Sequence, residues 1–228
     1  HFEGRDHAAA FLQYRVTPDE LIDRIMSYME KKTPNQVNLA VDVGCGSGQR
    51  TILLAPYFTK VVGTDVSPAH WFNREKFLLE ADRVLRPGGC LALLSYSMKM
   101  ELEYGDVSNG TLNDICNEFY PVLHLFRNPY LEKSSSKIYS DMFDSCSYPN
   151  KEWNECLRVK RTLPLSGYFG MIETYSSYQK MLQMDPAEAE RLSNDVRNKL
   201  MSVMKVSSPD TEVTVVVKYF YWLARKPL

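Results

Sequence analysis

Apolar residues fall along this chain in two rhythms: a helical spacing of three and four, and a strand-like run or alternation. Leu21, Ile22, Ile25, Met26 and Met29 share one helical face. Ahead of them stands Thr17-Pro18-Asp19-Glu20, where Thr17 suits the N-cap, Pro18 the first helical position and Glu20 the capping box. The pattern predicts a helix to about Lys31, ended by Thr33-Pro34-Asn35. The run Leu39-Ala40-Val41-Asp42-Val43 predicts a buried strand, and Thr51-Ile52-Leu53-Leu54-Ala55 the start of a helix. Lys60-Val61-Val62-Gly63-Thr64 predicts a second short strand ending at Asp65. Phe77, Leu78, Ala81, Val84 and Leu85 mark a helix that opens near His70 and closes at Arg86-Pro87-Gly88-Gly89, and Cys90 to Ser95 reads as a strand.

The second half is more helical. Leu112, Ile115, Phe119 and Leu123 carry helical spacing between Ser108 and Phe126. A loop from Asn128 to Ser136, a short helix from Ile138 to Phe143 and a turn at Tyr148-Pro149-Asn150 follow. Cys156 to Leu163 alternates, with Leu157, Val159 and Arg161 against Arg158, Lys160 and Thr162. Gly167 to Met184 reads as one helix carrying Tyr168, Phe169, Tyr175 and Tyr178, and Asp185-Pro186 caps a helix from Ala187 to Met204 with Leu192, Val196, Leu200 and Val203 inward. Glu212 to Leu223, rich in valine and aromatics, is a strong strand expected to pair antiparallel with its predecessor.

Chemistry concentrates between the first strand and the helix after it. Gly44-Cys45-Gly46-Ser47-Gly48 brings backbone without Cβ atoms close to whatever binds there. A phosphate-cradling P-loop would end in Lys and Ser or Thr, but Gln49-Arg50 stands there. A dinucleotide fingerprint would place its third glycine one residue later. Asp65 lies about 20 residues beyond the loop, where an acid accepts hydrogen bonds from a ribose diol. That acid alone does not separate a nicotinamide dinucleotide from an adenosyl sulfonium.

Composition narrows the setting. The 228 residues allow one domain, or one domain with a lid, and 44% hydrophobic residues supply a core. A net charge of −1 gives no field toward nucleic acid or anionic membrane, and no apolar run spans a bilayer. No secretory pattern is evident. Five cysteines, odd in number and never spaced C-x-x-C, argue against a zinc site or disulfide framework and for a reducing, cytoplasmic setting.

The G-x-G-x-G loop after an Asp-bearing strand resembles motif I of the class I S-adenosylmethionine-dependent methyltransferases. Leu85-Arg86-Pro87-Gly88-Gly89 before a strand is similar to another feature of that superfamily. Ala69-His70-Trp71-Phe72, His7-Ala8-Ala9 with Tyr14-Arg15, and Gly167-Tyr168-Phe169 followed by Tyr175-Ser176-Ser177-Tyr178 resemble the trans-aconitate methyltransferase-like, methyltransferase type 11 branch. The resemblance implies an α/β fold: a Rossmann-like, doubly wound, mostly parallel sheet with an antiparallel last strand. It implies a single domain over residues 1–228, with residues 1–35 as an arm and helix over the cofactor and residues 98–150 and 164–205 as substrate-covering helical insertions.

The implied cofactor is S-adenosyl-L-methionine, leaving S-adenosyl-L-homocysteine as product. The cofactor-binding candidates are Tyr14, Arg15, Asp42, Gly44, Cys45, Gly46, Gly48, Asp65, Val66, His70 and Trp71. Trp71, Tyr168, Tyr175 and Tyr178 are the substrate candidates, the tyrosines reading equally as an aromatic core stripe. His70 is the candidate general base, which a hydroxyl, amine or thiol acceptor needs and a carboxylate does not. Arg5, Arg158 and Arg161 are candidates to pair with a carboxylate acceptor. The expected reaction is in-line methyl transfer to a small molecule, with no nucleic-acid or membrane partner. The alternative is a catalytically impaired cofactor-binding or scaffold protein of the same fold.

One departure stands out. In the fold that the resemblance implies, a helix, two strands and an acidic loop separate the Asp65 region from Ala69-His70-Trp71-Phe72. Two strands and a crossover need about 40 residues, and this chain offers Val66-Ser67-Pro68. A segment is therefore expected to be absent between about Pro68 and Ala69. Its loss would expose two columns of backbone donors and acceptors at the centre of the sheet.

Overall fold

A computed structural model describes residues 18–30, 38–46, 48–65, 73–127 and 136–228. The chain divides into two compact units. One holds residues 17–96, 133–157 and 219–228; the other holds 97–132 and 158–218 together with the N-terminal 16 residues.

The first unit contains helix α1 (Asp19–Glu30), strand β1 (Leu39–Val43), helix α2 (Gln49–Leu54), strand β2 (Lys60–Thr64), helix α3 (Arg74–Val84), strand β3 (Cys90–Tyr96) and helix α6 (Ser136–Ser145). β1 and β2 pair in parallel, Leu39 opposite Lys60 and Val43 opposite Thr64. β3 pairs antiparallel with residues 219–225 of the last strand, β6 (Glu212–Arg225), placing Cys90 opposite Arg225 and Tyr96 opposite Tyr219. One face of that pair forms a core in which Trp222 and Ala224 meet Leu91 and Leu93 under Met142, Phe143 and Cys146 of α6 and its end, with Phe77 and Leu78 of α3. Beyond the end of α1, the Arg225 guanidinium donates to Tyr28 O, Met29 O and Gly88 O at 3.2, 2.9 and 3.3 Å. It thereby satisfies helix-terminal carbonyls that have no partner within the helix.

The second unit contains strand β4 (Glu101–Glu103), helices α4 (Asn109–Cys116) and α5 (Phe119–Leu125), and helices α7 (Leu165–Glu173), α8 (Ser176–Met184) and α9 (Pro186–Met204). The remaining strand, β5 (Asn150–Pro164), pairs with β6. β4 pairs antiparallel with residues 214–216 of β6. Its core holds Leu102, Leu112, Phe119, Val159, Tyr168, Phe169, Met181, Val196 and Leu200, all nearly inaccessible to water. Arg158 bridges to Glu101 at 2.8 Å and Lys160 to Glu103 at 2.7 Å, linking β5 and β4, which both pair with β6.

Most expected strands and helices are present. However, β1, expected to be buried, exposes Leu39, Val41 and Val43, and the apolar run between Ser108 and Phe126 forms two helices, α4 and α5. The helix expected over Gly167–Met184 is two helices, broken at Thr174-Tyr175, where the Thr174 hydroxyl donates to Met171 O at 2.7 Å. The penultimate strand begins at Asn150 rather than Cys156. β4 was not expected within the segment after β3. Val84, at an apolar position of α3, is 62% exposed.

Candidate functional site

The glycine loop joins β1 to α2 and rises beside the end of β2. Gly44 N–H and Cys45 N–H both donate to Thr64 O, at 2.7 and 3.2 Å, tying the loop to the neighbouring strand. Gly46 N–H donates to Asp65 Oδ2 at 2.7 Å. The Thr51 hydroxyl in α2 donates to Asp42 Oδ2 in β1 at 2.7 Å, so the first strand's acid is held from the helix side. Gly46 and Gly48 adopt φ of +56° and +84°, the left-handed region that side chains rarely enter. Above Gly46 there is open space, with no atom within 4 Å of where a Cβ would stand. At Gly63 the opposite holds: a Cβ there would meet Cys45 Sγ at 2.9 Å and Thr51 Oγ1 at 3.3 Å. Gly63 thus makes the notch into which the loop's cysteine packs.

These contacts bring together Asp42, Gly44, Cys45, Gly46, Gly48 and Asp65 of the expected cofactor residues. Tyr14, Arg15, Val66, His70 and Trp71, like Arg5, lie outside the described residues. Tyr168, Tyr175 and Tyr178 lie in the core of the other unit, at 0%, 3% and 5% exposure. The Tyr175 hydroxyl donates to Met98 O at 2.8 Å, and the Tyr178 hydroxyl bonds Ser193 at 2.8 Å. The hydroxyls of Tyr175 and Tyr178 are thus satisfied inside the core, whereas the buried Tyr168 hydroxyl makes no hydrogen bond; the burial of all three fits the aromatic-stripe reading. Arg158 is engaged by Glu101, and an Arg161 guanidinium nitrogen donates to Lys160 O at 2.8 Å.

Sequence reasoning passed over Arg50, Ser95 and Tyr139, which gather near the carboxyl end of β3. Burial pushes the Tyr139 hydroxyl up, while a hydrogen bond with Ser95 and the Arg50 charge oppose that rise. The Tyr139 ring meets Phe220 edge-on at 5.1 Å. Nothing in the apolar rhythm distinguishes these three. The pairing of Ser95 with Phe220 in β6, whose ring meets Tyr139, brings two of them together.

The fold has a counterpart among solved proteins. A provisionally designated type II methyltransferase from Anaeromyxobacter dehalogenans superposes with a TM-score of 0.68, covering 92% of this chain and 97% of its own at 18% identity. The fold is that of the class I methyltransferases. A Bacillus halodurans structure, also provisionally a methyltransferase, superposes with a TM-score of 0.45 over 90% of this chain and 100% of its own at 16% identity. No family model matches the chain.

By sequence, the methyltransferase-fold chain resembles a provisionally designated methyltransferase of Dictyostelium discoideum, at 32% identity over 117 aligned positions. The match takes in 43% of that relative and 35% of this chain. Thirty-five per cent of 228 residues is about 80, so roughly three dozen aligned positions of the relative face no residue here. Among the described residues no helix is long and apolar enough to cross a membrane, and no group of His, Cys, Asp and Glu could hold a metal ion.

Proposed function

We propose that the chain binds S-adenosyl-L-methionine at the glycine loop and directs methyl transfer to a small-molecule acceptor. The observation that carries this is the Gly46–Asp65 hydrogen bond under an open loop. The bond sets the acid beside backbone that has no side chains to obstruct a nucleoside. A carboxylate accepts from several donors at once, so Asp65 can hold both the loop and a ribose diol. The residues fit the adenosyl group at this end. Asp42, fixed by Thr51, sits behind the loop and holds its base in place.

When bound, the cofactor would supply a methyl group on a sulfonium, to which an acceptor bonds in line as the carbon–sulfur bond breaks and S-adenosyl-L-homocysteine leaves. The chain's part is to hold the ribose at Asp65 and to approach with Gly44, Gly46 and Gly48. By the sequence resemblance to the trans-aconitate branch, Tyr14 and Arg15 reach the cofactor's carboxylate end, while Val66, His70 and Trp71 complete the pocket. His70 then takes the acceptor's proton where the acceptor carries one.

Calorimetric titration with S-adenosyl-L-homocysteine and, separately, NAD tests the reading. Binding of the former and silence of the latter is expected. Binding of NAD alone overturns it.

A further inference from the structure

We infer that this chain is an internally shortened form of a longer protein, lacking one strand–helix–strand unit between β2 and α3, and that its cofactor seat is open where that unit would close it. The inference deepens the functional reading above and rests on it only for the ligand.

Three independent observations converge. First, β1 belongs to a parallel pair, and parallel strands are ordinarily covered on both faces by helices. Yet Leu39, Val41 and Val43, which alternate onto one face of β1, are 54%, 55% and 45% exposed. Among the described residues no helix covers that face. Second, among the described residues β1 pairs with β2 alone, and β3 pairs with β6 alone. Each therefore keeps one edge of backbone donors and acceptors that a strand between them would satisfy. A single strand–helix–strand unit supplies both the strand and the helix.

Third, its length is accounted for. Such a unit takes about 30 or more residues. Only nine residues, 65–73, separate the end of β2 from the start of α3. The alignment with the Dictyostelium protein leaves roughly three dozen of that protein's positions without a counterpart here. Loss of whole elements at one place, with motif residues intact on either side, explains how Gly46 and Asp65 remain in bonding register while β1 stands uncovered. A ligand seated on the loop would then be gripped at the ribose and left to water on the side of the exposed valines.

The test inserts the Dictyostelium positions that have no counterpart here at the junction of Pro68 and Ala69, and compares that chimera with the 228-residue chain. Hydrogen exchange at the amides of residues 40–43 is read in both, with binding of S-adenosyl-L-homocysteine by calorimetry. The inference expects β1 exchange to slow at least tenfold in the chimera and affinity to tighten at least tenfold. A folded chimera whose β1 exchanges as fast as before overturns it. A chimera with protected β1 that binds no S-adenosyl-L-homocysteine upholds the missing unit and removes the cofactor reading. A second variant needs no insertion. Val41→Lys in the 228-residue chain is expected to move Tm by less than about 2 °C, because the site faces water. A fall of about 10 °C or more shows that face to be covered and overturns the inference.

Discussion

Gly46 and Asp65, 19 residues apart, are joined by a 2.7 Å hydrogen bond from the loop amide to the carboxylate. The bond ties the loop after β1 to the tip of β2, so the acid braces the glycine turn, and in the proposed reading it also faces the ribose. Asp65→Asn keeps an oxygen able to accept from Gly46 but removes the charge. Hydrogen bonds to a charged group contribute about 1.5–3 kcal/mol. The variant is expected to lose roughly 10- to 100-fold in affinity for S-adenosyl-L-homocysteine by calorimetry, with Tm within about 2 °C of wild type. A Tm loss as large as the affinity loss would mean that the brace is the acid's main role.

The notch at Gly63 gives a second prediction. An alanine there would bring its Cβ to 2.9 Å from Cys45 Sγ. Overpacking of this kind costs about 1–3 kcal/mol. Because the obstructing atom is a small side chain, Cys45→Ala should recover at least half of the Gly63→Ala loss in urea denaturation. Two losses that simply add would show that the Thr51 hydroxyl, rather than the sulfur, is what the alanine meets.

The glycine loop, Asp65 and the two parallel strands were legible because a turn without side chains and an acid at a strand tip are local signals. Other features depend on partners far along the chain. β4 is Glu101-Leu102-Glu103, with one apolar residue, and exists because β6 offers an edge and Arg158 neutralises Glu101. The break between α7 and α8 was hidden because the apolar spacing continues across Thr174 and Tyr175, both buried. β5 starts early because Trp153 packs near Phe143 and Phe220, which overrides the turn signal of Pro149-Asn150. The uncovered face of β1 was foreshadowed by the shortage of chain after Asp65, although no local pattern marks Leu39, Val41 and Val43 as exposed.

Glu173, at the end of α7, has its carboxyl pushed above the usual range by burial, with Arg197 at 3.9 Å opposing the rise. A raised acid contributes stability that is fully present below the unfolded pKa, near 4.5. That contribution is lost as pH rises through the folded pKa. At neutral pH the charged form is the burdened one, so Glu173→Gln is expected to stabilise the protein at pH 7 and to make no difference near pH 4. With 40% of the side chain reaching water, screening limits the gain to about a few tenths of a kcal/mol. Thermal melts at the two pH values check the sign. A gain that grows toward pH 4 contradicts it.

Arg225 makes the last prediction, and its reasoning runs through the end of α1. Only 7% exposed, it sends two nitrogens to Tyr28 O, Met29 O and Gly88 O, with its guanidinium 5.7 Å from the Tyr28 ring centre. One planar fork therefore fastens the carboxyl end of α1 and the Arg86-Pro87-Gly88-Gly89 turn to the last strand. Arg225→Met fills a similar volume but leaves these carbonyls without their donor, and each buried unsatisfied group costs about 1–3 kcal/mol. Urea denaturation should show a loss of about 2–4 kcal/mol. Arg225→Lys retains the charge without the fork, since an ammonium is a point donor on a flexible stem. It should therefore recover less than half of that loss. Full recovery by lysine would mean that charge alone, and not the geometry of the fork, holds α1 against the strand.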